Sequence, residues 1–310
     1  MRILITGGAG FIGSHIAGHF QGRAEVRVLD NLRSGFRHNL AGLQCELIAA
    51  SILDREAVRQ AVQGVDYVFH LAAMVSVPES MAHPLECNEL NTQGTLIVLE
   101  AAARAGVKKL VFSSSAAIYG DNPVVPKVET MRPEPRSPYA ITKLDGEYYC
   151  RLFTGEKRLA TACLRYFNVF GPRQNPRSDY AGVIPLFATK ALNHQPICIH
   201  GDGLQTRDFV YVRDVAAANV HFARLPGEFG IFNIASGRAT SINDLAGEIC
   251  RATDSKAALQ HGPARPGDIK HSLASVAKAR AAGFQAVSDL PTGMKATIEF
   301  YRQLEGRRDH

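Results

Sequence analysis

No apolar stretch in the 310 residues approaches the length needed to cross a bilayer. The opening run Arg2-Ile3-Leu4-Ile5-Thr6 is too short for the core of a signal peptide and passes straight into a glycine turn. A cytoplasmic protein without membrane contact is therefore expected. The six cysteines, at positions 45, 87, 150, 163, 198 and 250, show no paired short spacing. That speaks against a zinc site or other metal site and against a disulfide framework, and for small core residues in a reducing compartment. Charge of one sign is also scarce: the net +6 arises from scattered arginines rather than a block, so no nucleic-acid partner is expected. Internal repeats and low-complexity segments are lacking. The phosphate loop of nucleotide hydrolases is excluded, because no Gly-Lys-Ser or Gly-Lys-Thr follows the glycine turn.

What the chain does have is 46% hydrophobic against 21% charged residues, enough to bury a substantial core in one large domain or two smaller ones. In the first half, short apolar runs alternate with amphipathic stretches, the pattern of a parallel sheet covered on both faces by helices. Strands are expected at Arg2 to Thr6, Val26 to Leu29, Tyr67 to His70, Leu110 to Ser113 and Thr161 to Arg165. Helices are expected at Phe11 to Phe20, Arg55 to Gln63, Asn88 to Ala105 and Pro138 to Phe153. The order is that of an α/β, doubly wound (Rossmann) sheet. After Tyr166, turns at Gly171-Pro172, Asn175-Pro176 and Gly201-Asp202-Gly203 mark a change to shorter elements, read as a smaller C-terminal α/β substrate domain. The helical stretch Arg213 to Leu225 and the strand Ile231 to Ile234 have a sheet-joining pattern. The division expected is thus 1–166 with a returning 213–235 for the nucleotide, and 167–212 with 236–310 for the substrate. Ser241-Ile-Asn-Asp244 resembles a helix capping box, with Asp in place of Glu or Gln.

Gly7-x-x-Gly10-x-x-Gly13 follows an expected strand and opens an expected helix, the context that makes a glycine pattern a dinucleotide site. Missing Cβ atoms let a pyrophosphate approach the backbone and rest against the positive helix end. Asp30 ends the second strand, where a carboxylate accepts hydrogen bonds from both ribose hydroxyls and repels a 2′-phosphate, favouring NAD over NADP. Arg33 nearby would accommodate that phosphate were Asp30 turned away. His70-Leu71-Ala72-Ala73 ends another strand with small residues that permit close passage of the nicotinamide side, with His70 itself read as structural. Tyr139 and Lys143, four apart, share one helix face, so the ammonium is expected to lower the phenol's pKa and make it a base near neutrality. Tyr-x-x-x-Lys alone occurs often on solvated helix faces. Its position after the glycine turn and after Ser113-Ser114-Ser115 points to redox chemistry at a sugar-like alcohol.

These motifs, with Leu29-Asp30-Asn31, Tyr119-Gly120, Arg165-Tyr-Phe-Asn168 and Arg265-Pro-Gly-Asp268, resemble the extended short-chain dehydrogenase/reductase family. Within it the likeness is to nucleotide-sugar 4-epimerases of the UDP-galactose 4-epimerase type, and it spans essentially the whole chain. The resemblance implies NAD as a cofactor regenerated in place and a UDP-sugar as substrate. It also implies a homodimer formed through the helices equivalent to Asn88 to Ala105 and Pro138 to Phe153. Tyr139 would be the base, Ser115 its hydroxyl partner, and Lys143 the group that depresses its pKa and holds the nicotinamide ribose. The sugar carbon gives its hydride to NAD, and the 4-keto intermediate swings over and takes it back on the other face. The implied cofactor contacts are Gly7, Gly10, Phe11, Ile12 and Gly13 at the turn and Asp30 and Asn31 after the second strand. Ser51 and Ile52, Leu71, Ala72, Ala73 and Ser113 complete them, with Tyr139, Lys143 and Tyr166. Ser51 replaces an aspartate that in many relatives contacts the adenine amino group, and Val75 replaces a lysine near the nicotinamide phosphate.

For the substrate, the resemblance implies a diphosphate clamped by Arg207 and Arg265, whose guanidinium forks match phosphate oxygens. Asn168 would donate to the same diphosphate, Asp268 would lie near the ribose, and Val183, Ser76 and Ser115 would complete the contacts. Ser272 stands where enzymes restricted to unacetylated hexoses carry a tyrosine, so room for an N-acetyl group is expected. Ser76-Val77-Pro78 resembles the loop of epimerases that accept UDP-N-acetylglucosamine. Dehydratases of the family carry an Asp-Glu pair directly after the catalytic hydroxyl residue; here Ala116 and Ala117 have no proton to give. A UDP-glucuronate epimerase or decarboxylase, a nucleotide-sugar reductase and a non-catalytic NAD-sensing protein remain as alternatives.

Overall fold

The computed structural model describes residues 1–176, 182–264 and 269–306. Strand β1 (Arg2–Thr6) carries Ile3, Leu4, Ile5 and Thr6 fully buried, an unbroken apolar run of the kind a strand needs when helices cover both its faces. Around it the chain winds through α1 (Phe11–His19), β2 (Glu25–Leu29), β3 (Cys45–Ile48), α2 (Arg55–Ala61) and β4 (Tyr67–His70). Two short helices follow, α3 (Val77–Ala82) and α4 (Pro84–Asn88), then a π-helical turn over Glu89–Gln93, α5 (Gly94–Arg104), β5 (Lys109–Ser115), α6 (Pro138–Gly155) and β6 (Ala160–Tyr166).

The next segment runs β7 (Asn168–Phe170), α7 (Val183–Leu192), β8 (Ile197–His200), β9 (Thr206–Arg207) and β10 (Phe209–Tyr211). Helix α8 (Val212–Arg224) and strand β11 (Phe229–Ile234) come back to the main sheet, which is parallel throughout with the order β11-β6-β5-β4-β1-β2-β3. The chain ends in β12 (Thr240–Ser241), α9 (Ile242–Thr253), β13 (Leu259–Gly262), α10 (Ala277–Ala281) and α11 (Leu290–Gly306). The order 3-2-1-4-5-6 is that of a doubly wound sheet, whose direction of winding reverses between β1 and β4.

One face of the sheet buries Ile3, Ile5, Phe69 and Val111 against α1 and α8; the other buries Leu4, Val68, Leu110 and Phe112 against α2, α5 and α6. Each such side chain contributes about 1.5–3 kcal/mol when taken from water. A separate core around Phe170, Phe187, Ile199, Leu245, Ile249 and Met294 holds the second lobe together, and Phe11 and Ile12 at the start of α1 pack against it.

A buried ion pair fastens α6 to the sheet. Arg165 of β6 donates through Nε to Glu147 Oε1 at 2.9 Å and through Nη2 to Oε2 at 2.7 Å. The Ser114 hydroxyl donates to Glu147 Oε1 at 2.5 Å. Arg165 also donates to the Tyr119 hydroxyl at 2.9 Å, which donates to Asn233 Oδ1 of β11 at 2.7 Å. Burial alone would lower the guanidinium's pKa, but Glu147 raises it.

Three features depart from the sequence expectation. Strand β3 was not anticipated: Cys45-Glu-Leu-Ile48 lies at the sheet edge, no residue in it is fully buried, and so it shows neither alternation nor a long apolar run. Val77 and Pro78 begin a helix instead of continuing a loop, because the Ser76 hydroxyl accepts the Glu79 N–H and caps it. The helix expected over Asn88 to Ala105 is interrupted by the π turn, a local defect common at functional sites. At Ser241 the hydroxyl accepts the Asp244 N–H at 3.0 Å and donates to Asp244 Oδ2 at 2.6 Å, so serine caps the helix while the aspartate meets its hydroxyl rather than its backbone N–H, half of a capping box. Among the described residues no helix is long and apolar enough to cross a membrane.

Candidate active site

The turn between β1 and α1 is a crest that only glycine can form. Gly7 has φ +70°, and a Cβ there would lie 2.8 Å from the Ala72 nitrogen; a Cβ on Gly13 would lie 2.3 Å from the Gly7 oxygen. The second contact lets α1 start flush against the strand end. On Gly10 a Cβ would touch only the Gly7 oxygen, at 3.2 Å, so the outer face of the crest is open. Gly10 caps α1 with no side-chain hydrogen bond, leaving Phe11, Ile12 and Gly13 to offer the first helical N–H groups. An open face, bare N–H groups and the positive helix end fit a diphosphate.

Asp30 is buried beside the crest. Its Oδ2 accepts the Ala9 N–H at 2.9 Å and its Oδ1 the Leu32 N–H at 2.8 Å. Burial raises its pKa, and these two N–H groups oppose the rise. The carboxylate is thus fixed at the end of β2, which fits a ribose diol. Asn31 Oδ1 accepts the Arg33 N–H at 3.1 Å. The Ser51 hydroxyl accepts the Leu53 N–H at 3.2 Å, and Ile52 is buried. On the other side of the crest, Leu71 and Ala72 donate to the Thr6 hydroxyl at 3.2 and 3.3 Å, and Ala73 continues that half-buried turn.

Ser113, Ser114 and Ser115 separate into three roles. The Ser113 hydroxyl lies 3.1 Å from that of Tyr166, which Asn219 Nδ2 also approaches at 2.8 Å. Burial pushes Tyr166 up to about 12. Its hydroxyl is spent inside the sheet, so a cofactor contact at Tyr166 has only the backbone to use. Ser114 holds Glu147. Ser115 ends β5, where its oxygen accepts the Ala117 N–H at 3.1 Å, and its hydroxyl draws the pKa of the Tyr139 phenol down.

Tyr139, Lys143 and Glu147 follow one another at four-residue spacing on α6, capped by Ser137 with Pro138 in its first turn. The Lys143 ammonium lies 5.8 Å from the Tyr139 ring centroid and 5.1 Å from that of Phe112. The expected depression of the phenol by Lys143 is not what this geometry gives. Burial raises the Tyr139 pKa, and the group that draws it back down is the Ser115 hydroxyl. Lys143 is itself lowered to about 8 by burial, so the pair shares one dry environment in which both charged forms are costly.

His70 is structural, as expected. Its Nδ1 lies 2.7 Å from the Thr6 hydroxyl and its Nε2 2.9 Å from that of Thr95. Burial, then Lys143, lowers it to about 3, so it stays neutral.

Sequence reasoning missed Asn91, which lies in the π turn. Its Oδ1 accepts the Met74 N–H at 2.7 Å, and its Nδ2 donates to the Met74 carbonyl at 3.0 Å and to the Thr142 hydroxyl at 3.0 Å. It ties the turn after β4 to the helix that carries Tyr139. No signal in the sequence marks it, because Asn91 stands among other polar residues, Asn88, Glu89, Thr92 and Gln93.

On the second lobe, Asn168 opens β7 and is exposed, and Val183 opens α7. Arg207 Nη1 donates to the carbonyls of Thr206 at 2.8 Å and Ile269 at 2.6 Å. The Ser272 N–H donates to the Thr206 carbonyl at 3.1 Å, so Arg207 and half-buried Ser272 sit on adjoining segments. Asp208, also missed, binds them: its carboxylate accepts the N–H groups of Ser236, Gly237 and Ala274 at 2.9, 3.1 and 3.2 Å. Arg265 and Asp268 lie outside the described residues. Ser76 is spent capping α3. Among the described residues no group of three or more His, Cys, Asp and Glu side chains is placed to hold a metal.

Residues 3–235 match the NAD dependent epimerase/dehydratase family. A UDP-glucose 4-epimerase from Mycolicibacterium smegmatis is 36% identical over 310 residues, covering 97% of this chain and 99% of its own. A UDP-N-acetyl-alpha-D-glucosaminuronate decarboxylase from Bacillus cytotoxicus is 35% identical over 322 residues, covering 98% of each. Among solved structures, a UDP-N-acetylglucosamine 4-epimerase from Methanobrevibacter ruminantium in complex with UDP-N-acetylmuramic acid superposes with TM-score 0.94 at 38% identity, over 98% of both chains. A UDP-glucose 4-epimerase from Thermotoga maritima with UDP-glucose gives 0.93 at 39% identity, over 98% of this chain and 100% of that one. The Thermus thermophilus UDP-glucose 4-epimerase complex with NAD gives 0.89 at 37%, over 97% and 99%.

The environment of Lys143 generates a stability prediction. Between pH 8 and its ordinary 10.5, the unfolded chain keeps a proton that the folded chain has released, so stability rises with pH across that window. Without cofactor at pH 7, Lys143→Met is expected to be more stable than the parent by about 1–3 kcal/mol and to lack this rise. Denaturant titrations of both proteins at several pH values test it; equal stabilities at pH 7 with parallel pH curves would exclude a buried charge.

Proposed function

The chain belongs to the NAD dependent epimerase/dehydratase family, and from that premise we propose that it epimerises a UDP-hexose at C4 through a transient 4-keto sugar. The substrates are UDP-glucose and UDP-galactose, with the N-acetyl pair also accepted. One observation carries this reading: on one face of α6 the Lys143 ammonium lies 5.8 Å from the Tyr139 ring, and the two side chains that follow Ser115 are only methyl groups.

When bound, NAD supplies reversible two-electron oxidation at the sugar carbon and, in its oxidised form, a positive charge that favours the phenolate. Tyr139 accepts the proton of the sugar O4 while Ser115 holds that oxygen. Lys143, confined against Phe112 and Tyr139, keeps its charge beside the phenol and holds the nicotinamide ribose. Arg207 and Arg265 anchor the diphosphate with Asn168, so the hexose turns about a fixed end and offers its other face. Tyr139 then returns the proton to O4, leaving the protein as it began. Ala116 and Ala117 donate no proton, so nothing there drives loss of water.

Residues 1–166 with 213–235 hold the dinucleotide in this reading, and 167–212 with 236–310 the UDP-sugar, a division supported by the return of β11 to the sheet. Ile141, Tyr148 and Leu152 leave a bare apolar stripe on α6, near exposed Met81 and Leu85. A second copy covering that stripe with its own α5 and α6 makes a homodimer. All six cysteines are free thiols, which supports a reducing, cytoplasmic setting.

The decarboxylase relative favours a second reading, in which a UDP-uronate loses carbon dioxide after the same oxidation. Incubating purified protein with a panel of UDP-hexoses and UDP-uronates, without added nicotinamide, separates the two. Many turnovers between 4-epimers are expected; a pentose product from a uronate alone would install the second reading. Tyr139→Phe should cut turnover by about 100-fold or more while UDP-sugar binding persists, and full activity would remove Tyr139 from the chemistry. Ser272→Tyr should selectively suppress the N-acetylated pair; equal losses on both pairs would show that position 272 is not the gate. Light scattering should report twice the 33.7 kDa chain mass, and a monomer would end the dimer proposal.

A further inference from the structure

The loop after β2 folds back over the crest. The Phe36 N–H and Asn39 Nδ2 both donate to the Ala9 carbonyl at 2.9 Å. Within it Leu32 has a left-handed φ of 60°, which a branched side chain seldom adopts, and the Asp30 carboxylate holds that bend through the Leu32 N–H. Arg33 then meets two helices from the far side of β1. Its Nη2 lies 2.9 Å from Glu79 Oε1 of α3, and its Nη1 lies 2.7 Å from Glu86 Oε1 of α4. Strands β2 and β4 flank β1, so a bond between the loop after β2 and the helices after β4 spans the glycine crest. Helix α3 also reaches the catalytic helix, since the Ser80 hydroxyl accepts the Tyr139 N–H at 3.3 Å.

We propose that Arg33, Glu79 and Glu86 form a clasp across the dinucleotide that slows its release and, by occupying the guanidinium, denies it to a 2′-phosphate. The clasp rests on the reading that this crest holds NAD. Two carboxylates on one guanidinium leave the group with a net charge of about −1, which adds to Asp30 in repelling a further phosphate. The three side chains are partly exposed, so salt weakens the clasp. It gives the chain a means of retaining cofactor even though Val75 stands where the resemblance places, in some galactose-type epimerases, a lysine near the nicotinamide phosphate.

The test uses the whole protein and reads cofactor rather than turnover. NAD content is measured after purification, NAD release is followed by fluorescence at about 50 mM and about 500 mM salt, and NADP affinity is measured by calorimetry on cofactor-stripped protein. Glu79→Gln/Glu86→Gln should release NAD about fivefold faster at low salt and bind NADP about fivefold tighter. Arg33→Met should release NAD equally fast with no gain toward NADP. High salt should speed release from the parent but not from Arg33→Met. Release from both variants within twofold of the parent overturns the clasp, and unchanged NADP affinity in the double variant overturns its selectivity role. Should the double variant not fold, Arg33→Met and the salt response alone decide retention. A parent protein that binds no NAD would instead overturn the underlying functional reading.

Discussion

The docking of one face of α6 on the sheet sets the position of everything that reacts. Glu147 is gripped by Arg165 from β6 and Ser114 from β5, and Lys143 and Tyr139 stand one and two turns above it on the same face. Taking two ions out of water costs several kcal/mol each, recovered only when geometry is good and other polar atoms are satisfied. Here both carboxylate oxygens and three guanidinium nitrogens have partners. A helix fixed this way cannot slide or rotate without breaking the pair, so the phenol keeps its place relative to Ser115.

The same economy governs the cofactor side. Asp30 accepts one N–H from the crest and one from the loop that carries Arg33, so the carboxylate proposed to meet the ribose also shapes the loop. Asn91 links the turn after β4 to α6. The reversal of winding between β1 and β4 opens a crevice at the carboxyl ends of the strands, and hydrogen bonds fix its walls from both sides.

The main strands and the glycine crest were legible in the sequence because each is written in local spacing: apolar runs without alternation, and glycines three apart between a strand and a helix. The return of β11 was legible for the same reason. Strand β3 was not, since an edge strand with half-covered faces has no periodic signature. Pairing across distance was hidden too. Nothing near Arg33 announces Glu79, 46 residues away, and the three serines read as one motif although each has a different partner. The direction of the Tyr139 pKa was misjudged because spacing on a helix reports proximity to a cation but not how dry the site is. The roles of Arg265 and Asp268 stay with the resemblance that suggested them.

The sheet's last strand, β11, is drawn from residues 229–234, after an entire excursion into the second lobe. Until the ribosome has extruded that stretch, β6 has a bare edge of unpaired amides and carbonyls, an invitation to mispairing in a crowded cell. Asn233 also supplies the backbone N–H that Glu129 accepts and the oxygen that receives Tyr119. A nascent chain halted before that point therefore holds the complete glycine crest yet lacks the strand that closes the sheet's edge, and translation must pass Ile234 before native assembly can lock.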